Sequence, residues 1–195
     1  IYWHMVSKLL LAIQENFFQA NHQQTKNSKV IKSLGALYYR VRNGLSAAKS
    51  PEEYGAFPFD PYSHTPSHSG AQQPGMTGQV KEEILTRFGE LGCFVESNCI
   101  KLDPSLLLPN EFLTKNKTFT YFDVAQHKRE LRIKKDQLAY TFCQVPFLYS
   151  LSDQDTRIEL SIQGESKTNI IGNKINPTLS NYIFDRQGKV EQVEL

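Results

Sequence analysis

The apolar residues of this chain change their period near residue 92, and that change limits the fold more than any other feature. Before it they recur every three to four residues: Val30, Leu34, Leu37, Tyr38, Val41 and Leu45 follow this spacing, and Val80, Ile84, Leu85, Phe88 and Leu91 repeat it on one face. After it they alternate with polar residues, as in Arg157-Ile-Glu-Leu-Ser-Ile-Gln163, the pattern of a strand with one buried side. Helices followed by strands make an α+β chain. The spacing predicts helices over about 1–18, 29–48 and 79–91, with Gly92 stopping the third. Strands are expected at Cys93–Ser97, Cys99–Asp103, Phe119–Val124, Glu130–Lys134, Leu138–Leu148, Arg157–Gln163, Lys167–Ile171, Tyr182–Asp185 and Lys189–Leu195. Asn98 turns the first pair into a hairpin, and Lys135-Asp136, Gln163-Gly164, Gly172-Asn173 and Gln187-Gly188 separate later ones. Short strands at such spacing suggest an antiparallel β-sandwich, so the expected division is a helical part, 1–92, and a sandwich, 93–195.

Residues 49–76, between the second and third helices, have no period and are rich in Pro, Gly, Ser and His. Tyr54, Phe57, Phe59 and Tyr62 are too many aromatics for a floppy linker, which makes an ordered loop lining a site the better reading. The stretch ends in Gln73-Pro-Gly-Met-Thr77-Gly78-Gln79, where the third helix begins. A helix start presents unpaired N–H groups and the positive end of the macrodipole. Thr77 can simply cap it, or Thr77 and Gly78 can help hold a phosphate or another oxyanion there.

Other chemistry-bearing groups are less specific. His4, on a mostly apolar helix, is either a satisfied core histidine or a donor facing a cavity. His64 and His68 have metal-like spacing but lie among Pro61, Pro66 and Gly70 without an obvious third ligand, so no metal is expected. Of the loop carboxylates, Glu52 and Glu53 read as a solvated helix start, and Asp60, between Phe59 and Pro61, is better placed for a cleft. Lys128, Arg129, Arg132, Lys134 and Lys135 read as a solvated strand face.

A net charge of +2 over 195 residues gives no electrostatic case for nucleic acid or an acidic membrane. No apolar run approaches a membrane span, and neither a nucleotide-binding glycine loop nor a nucleophile elbow is present. Cys93, Cys99 and Cys143 are an odd number without metal spacing, best read as reduced thiols in a cytoplasmic protein. The opening, Ile1-Tyr-Trp-His-Met-Val-Ser-Lys-Leu-Leu-Leu11, is apolar on nearly every side, as in a helix buried within something larger. It suggests the C-terminal portion of a longer protein, or a chain that has been cleaved.

The order of these segments resembles the C-terminal third of the inverting disaccharide phosphorylases, the cellobiose and chitobiose phosphorylase group. Ile1-Tyr-Trp-His4 stands where that family has an Ile-Phe-x-His type helix start, and Asp60-Pro61-Tyr62 where it has a Glu-Pro-Tyr type loop. Met76-Thr77-Gly78-Gln79 stands for its Thr-Gly-Ser or Thr-Gly-Thr element, and Asn98-Cys-Ile-Lys-Leu-Asp-Pro104 for a Gly-Leu-Arg-Ile-Asp-Pro type segment. The resemblance runs in order through nearly the whole chain, although each motif is short. It implies the last helices of an (α/α)6 barrel followed by the β-sandwich. It implies that His4, Thr77 and Gly78 bind phosphate, and that Asp60 and Tyr62, with His64 and Gln73 of the same loop, face the sugar. Gln79 departs from the family's small hydroxylated residue, which weakens phosphorolysis against hydrolysis. The family's catalytic aspartic acid lies upstream and has no counterpart here.

The reading that follows is part of a carbohydrate-active enzyme that cleaves an oligo- or disaccharide with inversion. It would need no cofactor, with inorganic phosphate as a co-substrate, and its acid would come from the rest of the parent enzyme. Alone, the chain would be inactive. One rival is a non-catalytic carbohydrate-binding or scaffolding module. Another is a structural remnant whose exposed helices make it homo-oligomeric.

Overall fold

The computed structural model describes residues 2–45, 79–152 and 156–195, with the backbone alone at 2–4 and 79–80. The chain is α+β. In order it forms α1 (Tyr2–His22), α2 (Ser28–Arg42), α3 (Gln79–Leu91), β1 (Cys93–Glu96), β2 (Cys99–Leu102), β3 (Lys117–Phe122), β4 (Lys128–Ile133), β5 (Gln137–Phe142), β6 (Val145–Ser150), β7 (Arg157–Ile162), β8 (Thr168–Ile171), β9 (Lys174–Ile175), α4 (Pro177–Phe184) and β10 (Val190–Glu194). These fall into two compact units, Ile1–Gly89 and Glu90–Leu195. Among the described residues no helix is long and apolar enough to cross a membrane.

In the first unit α2 begins where Asn27 accepts a hydrogen bond from Val30 N at 3.2 Å, an ordinary N-cap. It ends at Arg42, short of the expected Ala48, because Asn43 and Gly44 are poor helix formers. Leu10, Ile13, Phe17, Phe18, Tyr38 and Leu45 are buried, and the ring of Phe17 comes within 3.4 Å of where a Cβ on Gly35 would stand.

The orientation of α3 differs from what its spacing suggests. Ile84 and Leu85, expected to face inward, are 51% and 48% exposed, while Glu82 and Thr86 are buried. The cause is Gln14 of α1, itself buried. Its amide nitrogen donates to Thr86 O at 2.8 Å and to the Tyr38 hydroxyl at 3.2 Å, tying three helices together. A buried amide left without partners costs about 1–3 kcal/mol, enough to turn the polar stripe of a short helix inward.

Gly89 is part of this arrangement, since a Cβ there would stand 2.0 Å from Gln14 Oε1 and 2.5 Å from its Nε2. Gly89→Ala adds about 1 kcal/mol of helix propensity but must displace the whole amide and forfeit both donations. The displacement wins, and urea denaturation should show a net loss of about 2 kcal/mol. Gln14→Ala together with Gly89→Ala should cost less than the sum of the two single changes.

Among the described residues the second unit holds three sheets, ordered β1-β2-β9, β5-β6-β10-β7-β8 and β3-β4. The first hairpin turns at Ser97 and Asn98, with φ of 51° and 59°, the left-handed pair of a type I′ turn. Three expectations need correction. The expected single strand Leu138–Leu148 is two, β5 and β6, because Cys143 and Gln144 adopt φ of 50° and 65° and reverse the chain. The expected strand Tyr182–Asp185 is the end of α4, which Asn176 caps by accepting from Leu179 N at 2.9 Å and Pro177 opens. The five-stranded sheet is mixed, since β10 runs parallel to β6, pairing Val193 with Phe147 and Glu194 with Leu148.

Alternation sets the core. On β7, Ile158, Leu160 and Ile162 are buried and Arg157, Glu159 and Ser161 are not. On β6, Val145 to Tyr149 are all buried, so this strand is covered on both faces. The buried Ser180 of α4 joins helix to sheet: its hydroxyl accepts from Ile100 N at 3.0 Å and donates to Ile175 O at 3.1 Å.

Candidate functional site

The described α3 opens at Gln79, directly behind Thr77-Gly78. Thr77 and Gly78 themselves, and Asp60, Tyr62, His64 and Gln73, lie outside the described residues, as do His68, Glu52 and Glu53. His4 falls in the first turn of α1. Of the expected site, the structure therefore gives the helix that follows Thr77-Gly78 and the helix that carries His4.

It adds one ion pair at the start of α3. Lys8 Nζ stands 3.2 Å from Glu82 Oε1, with the Glu82 side chain 9% exposed and that of Lys8 70%. A carboxylate in the first turn of a helix is stabilised by the macrodipole, and Lys8 balances its charge. Sequence reasoning passed over Lys8; the available signal was its place one turn after His4.

In the second unit a buried chain of polar groups connects Tyr140, Tyr149 and Leu91. The Tyr149 hydroxyl donates to Leu91 O at 2.7 Å and so accepts from the Tyr140 hydroxyl at 2.8 Å. Burial pushes both phenols above their usual range, and it pushes the Cys93 thiol beside Tyr140 up to about 12. Cys143 is raised as well, by burial partly offset by Arg186. Tyr140, Tyr149 and Cys93 stay neutral at ordinary pH and act as structure rather than as nucleophiles. In the native protein at pH 8, a thiol-specific colour reagent should leave Cys93 and the buried Cys99 untouched. Cys143 alone should react, slowly, and all three on denaturation.

The basic stretch on β4 is exposed, as expected of a solvated face. Arg129 turns back, its Nε donating to Asp123 Oδ2 at 2.7 Å, while Asp123 Oδ1 accepts from Ala125 N and His127 N, each at 2.9 Å. The Arg129 hydrogen bond, with the backbone donor of His127, holds the Asp123 carboxyl below its ordinary value. Gln144 Nε2 donates to Asp123 O at 3.0 Å and Arg186 donates to Gln144 Oε1. Asp123, Arg129 and Gln144 border a hollow of about 370 Å³, and their bonds brace the β3–β4 hairpin.

A larger cavity, of about 450 Å³, opens at the ends of β6, β7 and β10. Pro104, Leu107, Pro109 and Phe112 form one wall, and Ser150, Arg157, Glu159 and Glu194 stand among the polar groups of the rest. No sequence signal marked it, because its walls come from segments far apart in the chain. Among the described residues no group of three or more His, Cys, Asp or Glu is placed to hold a metal ion. No protein-family model matches the chain, and no curated protein matches it either.

Proposed function

We propose that this chain supplies the anion-binding wall of an enzyme that cleaves a glycosidic bond with inversion, by phosphate or by water. The observation that carries the reading is the start of α3 at Gln79, immediately after Thr77-Gly78. A helix start behind a hydroxyl and a glycine is suited to an oxyanion. Its order relative to His4, upstream on α1, and to the strands downstream is the order of the phosphorylases it resembles. Lys8, one turn after His4 on α1, pairs with Glu82 in the first turn of α3.

In this reading His4, Thr77 and Gly78 orient the attacking anion, and Asp60, Tyr62, His64 and Gln73 shape the sugar side. Protonation of the leaving oxygen falls to a carboxylic acid upstream of this chain, on the opposite side of the bond from the attack. Titrating inorganic phosphate into the full-length protein tests it: saturable binding that competes with sulfate is expected. An absence of binding, together with cleavage that depends neither on phosphate nor on Thr77, would remove the proposal.

A further inference from the structure

The 450 Å³ cavity of the second unit has two walls of opposite chemistry. The apolar wall, which includes Phe112, is held at both ends. Asp103 N donates to Gly92 O at 2.7 Å and its carboxylate accepts from Ser105, anchoring one end. Leu113 N donates to Gln137 O at 2.9 Å and Leu113 O accepts from Asp136 N at 2.8 Å, anchoring the other. Leu151, 50% exposed, extends the apolar surface at the rim.

The polar wall is set by strand register. Glu194 on β10 lies directly across from Glu159 on β7, and Arg157 is two residues before Glu159, on the same face. Like charges opposed in this way repel. Lys167 bonds Glu159 Oε1 and Gln192 Nε2 bonds Glu194 Oε1, so each carboxylate keeps Oε2 as a further acceptor. The two carboxylates are matched by two cations, Arg157 and Lys167, which favours a neutral ligand over a charged one.

We infer that this cavity is a binding site for a neutral sugar ring. A pyranose presents an apolar C–H face, which suits Phe112 and the prolines, and an edge of vicinal hydroxyls. Those hydroxyls can donate to Glu159 and Glu194 and accept from Arg157. A cavity of this size lies within the usual range of about 300–1,000 Å³ for small-ligand sites, and a wall already fixed reduces the ordering cost of binding.

Saturation-transfer NMR on the whole 195-residue chain with glucose, cellobiose, N-acetylglucosamine and, as a charged competitor, free arginine tests the assignment. Transfer to ring C–H protons of at least one sugar is expected. Affinity should fall about tenfold in Glu194→Gln and in Phe112→Ala, the scale of one lost hydrogen bond to a charged group. Where circular dichroism shows Phe112→Ala unfolded, Arg157→Ala, at an exposed position, takes its place. Thr77→Val must leave this binding intact, so failure here and failure of the glycosidic reading are separate results. The inference is overturned by no transfer from any sugar, by transfer undiminished in the variants, or by arginine binding in place of sugar.

Discussion

Gly92→Ala should unfold most of the second unit, at a cost of about 4 kcal/mol or more, at the severe end for single substitutions. Gly92 has φ of +67°, a conformation that costs an L-residue about 1–2 kcal/mol. A Cβ there would stand 2.0 Å from the carbonyl oxygen of Asp103, 2.1 Å from its carbon and 2.4 Å from Pro104 N. All three are backbone atoms, so no side-chain rotation relieves the overlap. The strands themselves must part, breaking the bond from Asp103 N to Gly92 O and straining the adjoining pair Cys93 and Leu102. Gly164→Ala is the control. Gly164 has φ of +74°, but a methyl group there would meet nothing within 4 Å, so only the conformational cost of about 1–2 kcal/mol applies. Urea denaturation followed by near-ultraviolet circular dichroism compares the two; equal midpoints would show that the Asp103 contact does not matter.

Thr77→Val should lower kcat/KM for the proposed glycosidic cleavage about 100-fold, the scale for misplacing an attacking group by about an ångström. Valine keeps the shape and removes the hydroxyl, and Thr77→Ser should recover most of the loss. A residue that only caps α3 behaves differently: its loss costs about 1 kcal/mol of stability and leaves the rate unchanged. Measuring rate and melting temperature on the same variants separates the two roles.

The parts of the fold that were legible in the sequence are those fixed by local chemistry. Residues 79–91 carry an unbroken helical period closed by Gly92, and α3 has those limits. Asn98 between two short apolar runs marked the first hairpin, and β1 pairs with β2 about it. Local reading failed where distant groups decided the outcome. The inward face of α3 is chosen by Gln14, 72 residues from Thr86. The β5–β6 turn uses Cys143 and Gln144 at positive φ, where Gly or Asn is the usual signal. In α4, Asn176-Pro177 is a sound helix start, but Tyr182-Ile-Phe184 reads equally well as a strand. Parallel pairing of β10 with β6 has no local signature at all. The site divides the same way. Thr77-Gly78 was visible as the boundary of a helix, whereas the cavity beside Phe112 depends on the register that sets Glu159 opposite Glu194.

Proton NMR of the anomeric product from a disaccharide, recorded with and without inorganic phosphate, decides whether the proposed inverting cleavage takes place. An inverting site with an anion wall at Thr77-Gly78 predicts a first-formed product of opposite anomeric configuration to the bond cleaved, appearing as the sugar 1-phosphate where phosphate is the nucleophile. A first-formed product that retains its configuration, or no cleavage under either condition, would contradict it.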